Sequence, residues 1–167
     1  MSLTFKIEQI AIILPRDPST TKTNPLGEKL LRAIGCSTFS HDTVIADGTV
    51  GSSNVINKAN LRFNYEIGPV EFEVLHYEVG ANWRNNEPGV SHLGMHVSAS
   101  ELEQWRKMFE SNGVKVIQEV KTVAHTNPVI KDSRRYHYVI FNTRPLIGVD
   151  LKFIVRLNLD GTPFAGE

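Results

Sequence analysis

Four polar side chains occupy similar places in the two halves of the chain and have the chemical types of metal ligands. Gln9 and His92 lie in apolar, strand-like segments that open the two halves, and Glu73 and Asp150 lie in segments that close them. An imidazole, two carboxylates and an amide oxygen suit a divalent metal ion such as Zn²⁺, Ni²⁺, Co²⁺, Mn²⁺ or Fe²⁺. Glu71 shares a strand face with Glu73 and competes with it for this role.

Each of these residues also has a structural interpretation that needs no ligand. Gln9 could be a solvent-facing strand residue, and His92 could be a hydrogen-bonded histidine of the core. Asp150 could pair with Lys152, because strand alternation puts both on one face. The ligand interpretation therefore depends on whether the side chains converge.

Further candidates for substrate contact lie near the same strands. Alternation in VSHLGMHV puts His96 on the same face as His92, while Leu93, Met95 and Val97 take the other face. The two imidazoles are either incidental or line a pocket. His96 is therefore a candidate substrate contact, with a surface imidazole as the alternative. Two more candidates border a predicted loop over residues 128–134, one on each side: His125 and Arg135. Arg135 and its neighbour Arg134 form a potential fork for a carboxylate or phosphate, with a solvated charge pair as the alternative.

The elements that must position these residues follow one order twice. In the first half, β-rich segments and one helix pattern are predicted at 5–14, 26–34 (helix), 38–45, 60–67 and 70–78. In the second half they are predicted at 90–97, 101–111 (helix), 114–123, 135–142 and 149–157. The repeat of about 80 residues indicates an internal duplication. One helix per four strands covers only one sheet face, so the other face must pack on something or border a cavity.

This element order, with a polar residue before each hydrophobic alternation, resembles the vicinal oxygen chelate superfamily. That superfamily contains glyoxalase I, bleomycin-resistance proteins, methylmalonyl-CoA epimerase and extradiol dioxygenases. The segment SASELEQW…FESNGVKV, which follows the histidine strand, carries the resemblance best. The resemblance implies an α+β fold in which two tandem βαβββ modules form a cupped mixed β-sheet with helices on its outer face. It implies one glyoxalase-like domain over residues 1–167, with modules at about 5–80 and 90–158.

The resemblance also implies one divalent metal held by Gln9, Glu73, His92 and Asp150. Asp150 departs from the glutamate usual in the family, and its carboxylate lies one methylene nearer the backbone. The implied activity is that of a metal-dependent lyase or isomerase acting on a small α-oxygenated carbonyl compound, with Glu73 and Asp150 as the catalytic carboxylates. The proton-transferring carboxylate is expected to have a pKa raised toward neutrality.

Three other functions remain open. A metal-free cup of the bleomycin-resistance type would bind a small molecule through aromatic walls such as Tyr65, Tyr136, Tyr138 and Trp83. An extradiol dioxygenase would need a second histidine, His96 or His125, at the metal. A cup whose ligands have drifted would serve only as a scaffold for association.

Composition limits the partners of the chain. Among 167 residues, 18 basic and 18 acidic side chains cancel, so no electrostatic attraction to nucleic acid or to an anionic membrane is predicted. No apolar run reaches the length of a membrane span, and the N-terminus lacks a signal-peptide pattern. The lone Cys36 is predicted to be a small buried residue and fits a reducing, cytoplasmic compartment. A small-molecule partner is expected, and a homodimer is the favoured assembly.

Overall fold

The computed structural model describes residues 3–15, 24–50, 53–66, 68–79, 87–121, 124–125 and 131–164. The first half contains β1 (Gln9–Ile13), α1 (Pro25–Ala33), β2 (Ser40–Val50), β3 (Ser53–Asn64) and β4 (Glu71–Val79). The second half contains β5 (Gly89–His96), α2 (Ala99–Ser111), β6 (Val116–Lys121), β7 (Ala124–His125), β8 (Arg135–Phe141), α3 (Arg144–Ile147) and β9 (Asp150–Leu157).

The strands form one mixed sheet in the order β3-β4-β1-β5-β9-β8-β6-β2-β7. The two halves meet where β1 and β5 pair antiparallel, and each of these strands has a parallel neighbour from its own half, β4 or β9. Since β2 pairs with β3 as well as with β6, the sheet curls back on itself around an inner face. The predicted α+β fold, with a cupped mixed sheet, is confirmed.

Both long helices cover the outer face of the sheet. Leu31 of α1 is buried with Cys36 and Val74, as predicted for Cys36, and Ile12 and Leu14 pack against them. In the second half, Leu102, Trp105 and Phe109 of α2 form a cluster with Phe141 and Phe153. The ring centroids of Phe109 and Phe141 lie 4.6 Å apart and those of Trp105 and Phe153 5.1 Å apart, spacings typical of aromatic pairs. The helices therefore take the apolar outer residues, and the alternate strand residues face inward.

Local sequence explains where α2 begins. The side chain of Ser98 accepts a hydrogen bond from the backbone N–H of Glu101, and the Glu101 carboxylate accepts one from the backbone N–H of Ser98. This capping box satisfies two N–H groups that a helix start leaves without partners. The short helix α3 was not predicted, because four residues are too few to show a helical period.

None of the helices in the described ranges is both long enough and apolar enough to cross a bilayer.

Candidate functional site

The register between β1 and β5 shows which residues of the two halves are equivalent. Gln9 pairs with Gly94, and Ala11 pairs with His92. A two-fold rotation between the strands exchanges these pairs, so that Gln9 matches His92 and Ala11 matches Gly94. The predicted equivalence of Gln9 and His92 therefore agrees with the pairing.

The register of the parallel strand pairs corrects the predicted equivalence of Glu73 and Asp150. Beside β1, Glu71 lies opposite Gln9 and Glu73 lies opposite Ala11. Beside β5, Asp150 lies opposite His92 and Lys152 lies opposite Gly94. Glu71 therefore matches Asp150, and Glu73 matches Lys152. The position equivalent to Glu73, where a second carboxylate of the site would be expected, is therefore occupied by the ammonium group of Lys152.

Four side chains, Gln9, Glu73, His92 and Lys152, meet on the inner face where the halves join; we call them the central cluster. The amide oxygen Oε1 of Gln9 lies 3.2 Å from Nε2 of His92 and accepts a 3.1 Å hydrogen bond from Nζ of Lys152. The carboxylate oxygen Oε2 of Glu73 lies 3.4 Å from His92 Nε2 and 3.6 Å from Lys152 Nζ. All four residues are buried. Gln9, Glu73 and His92 are thus brought together as predicted, and their fourth member is Lys152.

Hydrogen bonding assigns the tautomer of His92. Both neighbours of Nε2 within the central cluster are acceptor oxygens, so Nε2 carries the ring proton. Nδ1 then accepts from the Ser91 hydroxyl at 3.2 Å. Burial and the nearby Lys152 ammonium outweigh the opposing effect of Glu73 and hold the pKa of His92 below its ordinary value. The imidazole is therefore neutral near pH 7 and acts as a hydrogen-bond donor.

The carboxylate of Glu73 is ionised because its neighbours outweigh its burial. Burial alone would raise its pKa, but the Lys152 ammonium and the His92 ring together lower it below the ordinary value. The expectation of a carboxylate with a raised pKa is thus not met at Glu73.

Two tyrosines lie near the charged groups of the central cluster. Lys152 Nζ lies 5.0 Å from the ring centroid of Tyr138, a cation–π arrangement. Burial, followed by the charge of Glu73, raises the pKa of Tyr77, which therefore keeps its phenolic proton.

Asp150 is buried, but its carboxylate is bound by Arg144. The backbone N–H of Arg144 donates to Oδ1 at 3.1 Å, and its Nε donates to Oδ2 at 3.2 Å. The same guanidinium donates from Nη2 to the carbonyl oxygens of Val90 and Ser91. Asp150 and Arg144 therefore join α3 to the start of β5. This arrangement suits an anchor for the strand that carries His92. The roles predicted for Asp150, as a metal ligand and as a catalytic carboxylate, stay predictions.

Glu71 lies beside the central cluster and positions Gln9. Nε2 of Gln9 donates to Glu71 Oε1, and the Tyr65 hydroxyl donates to Glu71 Oε2 at 3.0 Å. The amide of Gln9 is thereby oriented with its oxygen toward Lys152 and His92. Gly94 makes room for it, because a Cβ there would lie 3.0 Å from both Cβ and Oε1 of Gln9.

Two of the predicted substrate contacts, His96 and Arg135, have partners outside the central cluster. Glu8 holds His96 by accepting from its backbone N–H at 2.6 Å and by lying 3.2 Å from its Nδ1. Arg135 donates to the backbone carbonyls of Lys131 and Arg134. The backbone of His125 pairs with Val44, but its side chain and the loop residues 126–130 lie outside the described residues, as does Trp83. A role for His96, His125 or Arg135 in substrate binding stays a prediction.

The residues present do not fit a divalent cation. Lys152 Nζ already lies within 3.6 Å of Gln9 Oε1 and Glu73 Oε2, the two oxygens that would bind a metal ion. The ammonium and a metal ion at such distances in a buried site would repel each other strongly. Across the described ranges, no three His, Cys, Asp or Glu side chains gather as a set of metal ligands. Sequence reasoning missed Lys152 because lysine is not a metal ligand; its position in the repeat was the signal that could have found it.

Comparison with known proteins gives similarity of overall structure only. No family model and no curated protein matches the chain. A hypothetical protein from Bacillus halodurans is 17% identical with a TM-score of 0.46, over 89% of this chain and 92% of that one. A methylmalonyl-CoA epimerase from Streptomyces coelicolor, in complex with 2-nitronate-propionyl-CoA, is 15% identical with a TM-score of 0.46, over 92% and 94%. A selenomethionine methylmalonyl-CoA epimerase is 10% identical with a TM-score of 0.45, over 92% and 97%.

Proposed function

We propose that the chain is an isomerase or lyase that moves a proton on a small α-oxygenated carbonyl compound without using a divalent metal. The observation that supports this is the convergence of Glu73, His92 and Lys152, a carboxylate between two hydrogen-bond donors. Removing a proton next to a carbonyl group creates negative charge on its oxygen. The site has the two kinds of group this step needs, a proton acceptor and donors for the oxygen.

The donors in this proposal are Lys152 and His92. The ammonium of Lys152 and Nε2 of His92 each lie within 3.6 Å of the same two oxygens, Oε1 of Gln9 and Oε2 of Glu73. A substrate oxygen that displaces one of these acceptors would receive both hydrogen bonds. Fixed donors in a buried site stabilise an oxyanion more than water does, because they need little reorganisation.

The proton acceptor in this proposal is Glu73. Its lowered pKa belongs to the cluster without substrate, in which Lys152 and His92 both act on the carboxylate. A substrate oxygen that engages these donors would weaken their effect on Glu73 and increase its basicity. The proposal therefore requires the substrate to enter between Glu73 and the two donors.

Deuterium exchange tests this proposal. The protein is incubated in D₂O with the hemithioacetal of an α-oxoaldehyde and with an α-hydroxyketone, and exchange of the α-proton is followed by NMR. Glu73→Gln is expected to lower the exchange rate by about 10²–10⁴-fold. Glu119→Gln, on the outer face beside Arg106 and His137, is expected to leave it unchanged. Equal rates for wild type and Glu73→Gln on a compound that is turned over would refute the proposal.

A metal-free binding protein is a second candidate, favoured by the ionised state of Glu73 and the aromatic inner face. A carboxylate with a lowered pKa is a weak base, and Tyr136 and Tyr138 pack with Val120 and Leu61 on that face. Such a protein would bind one of the same compounds in calorimetry and catalyse no exchange. Binding without exchange would decide for this function.

A further inference from the structure

We infer that the ammonium group of Lys152 takes the place of a divalent metal at the centre of the cup, and that this one side chain determines whether the cup binds a metal. The inference does not depend on the proposed proton transfer, because it concerns which cation the central cluster accepts. It predicts that Lys152→Glu turns the cluster into a metal centre.

The pairing of the strands is the first ground for this inference. Glu73 and Lys152 occupy equivalent positions, each opposite the small residue of its neighbouring strand, Ala11 or Gly94. A glutamate at 152 would complete a set with an amide oxygen, an imidazole and two carboxylates, one ligand from each of four adjacent strands. Such a donor set suits Zn²⁺, Co²⁺, Ni²⁺ or Mn²⁺.

The spacing of the donor atoms is the second ground. With metal–ligand distances of about 2.1 Å, neighbouring donors lie about 3.0 Å apart in an octahedron and about 3.4 Å apart in a tetrahedron. Nε2 of His92 lies 3.2 Å from Oε1 of Gln9 and 3.4 Å from Oε2 of Glu73. Nε2 of His92 is thus already spaced from each of the two oxygens as ligands of one ion are, and binding the ion would place the ring proton on Nδ1.

The position of Nζ is the third ground. It lies 3.1 Å from Gln9 Oε1 and 3.6 Å from Glu73 Oε2, on the same oxygens that would bind a metal. A glutamate side chain is one bond shorter than lysine, so its carboxylate ends near the place of the Lys152 Cε atom. The place of Nζ is then left for the ion. In the wild type, the ammonium both fills this place and supplies the charge that Glu73 requires.

The test is a Co²⁺ titration of five proteins, followed by visible absorption and by calorimetry: wild type, His92→Ala, Lys152→Glu, Lys152→Glu/His92→Ala and Lys152→Gln. Wild type is expected to bind no stoichiometric Co²⁺. Lys152→Glu is expected to bind one equivalent, with ligand-field bands and a melting temperature that rises with Co²⁺ concentration. Adding His92→Ala to Lys152→Glu is expected to abolish this binding. Lys152→Gln removes the charge and offers an amide oxygen in place of a carboxylate, so it is expected to bind Co²⁺ more weakly than Lys152→Glu but more tightly than wild type.

Two results would overturn the inference. One is a wild-type protein that binds one Co²⁺ and loses it on His92→Ala, since the ammonium would then not exclude the metal. The other is a Lys152→Glu variant that binds no Co²⁺, or binds it equally well without His92. If Lys152→Glu fails to fold even with Co²⁺, Lys152→Gln decides: a Co²⁺ affinity no higher than that of wild type would count against the inference.

Discussion

Removing the ammonium of Lys152 should uncover the cost of burying Glu73. In Lys152→Met the apolar stem remains, while Glu73, only 1% exposed, loses the cation 3.6 Å from its Oε2. Breaking a buried ion pair by removing one partner costs about 3–5 kcal/mol, because the other charge stays buried without compensation. The double variant Lys152→Met/Glu73→Gln removes both charges and should recover all but about 1–2 kcal/mol.

The same variant should reverse the response of stability to pH. In wild type the pKa of Glu73 is lowered, so its contribution is present above the unfolded value of about 4.3 and is lost as pH falls through the lower folded value. Without Lys152, burial raises the pKa of Glu73 above its unfolded value, so the folded state binds this proton more tightly. The free energy of unfolding should therefore fall as pH rises from about 4.3 toward the raised folded value, by up to about 1.4 kcal/mol per pH unit.

Urea denaturation at pH 4.5, 5.5, 6.5 and 7.5 measures both effects. Lys121→Met is the matched control, because Lys121 is a strand lysine whose side chain is 71% exposed, and its loss should change stability by no more than about 0.5 kcal/mol. Equal stabilities of Lys152→Met and Lys121→Met at every pH would refute the reasoning. So would a double variant no more stable than Lys152→Met alone, since Glu73 would then not be the group left uncompensated.

Three further predictions concern the packing around Gln9 and two interactions on the outer face. Gly94→Ala should destabilise the protein by about 1–3 kcal/mol in urea denaturation, because the new Cβ would lie 3.0 Å from atoms of Gln9. Gly27→Ala in α1 is the control: its new Cβ would make only ordinary contacts at 3.9 Å, so this substitution should be stabilising. Ser98→Ala should lower stability by about 1 kcal/mol through loss of the capping box, measured by thermal unfolding. The hydrogen bond with His137, and then the charge of Arg106, lower the pKa of Glu119 to about 2. The contribution of Glu119 to the free energy of unfolding is therefore lost as pH falls from about 4.3 toward that value, and Glu119→Gln should flatten this part of the acid unfolding curve.

Local sequence pattern was sufficient for most of the fold because each element has its own period. The alternation of β5 set His92 and His96 apart from Leu93 and Met95, and the 3/4 spacing of α2 marked its buried face; both agree with the packing. The β-strand boundaries were less predictable. The strand predicted over 114–123 is β6, which covers 116–121, and the short β7 that follows it was not predicted. Partners across the sheet, not local propensity, decide where pairing stops.

The central cluster shows why side-chain alternation can find the face of a site and still miss one of its members. Alternation places Asp150 and Lys152 on the same inner face, so it cannot choose between them. The choice is made by the parallel register of β5 with β9, which sets Gly94 opposite Lys152 as β1 sets Ala11 opposite Glu73. In the sequence, the equivalent residues Glu73 and Lys152 are 79 residues apart, whereas Gln9 and His92 are 83 apart. Because the connections in the two halves differ in length, no single offset relates equivalent positions. A search restricted to metal-ligand residue types then passes over a lysine. A chemical search of a duplicated fold should therefore match positions by strand pairing first, and only afterwards ask what residue stands at each.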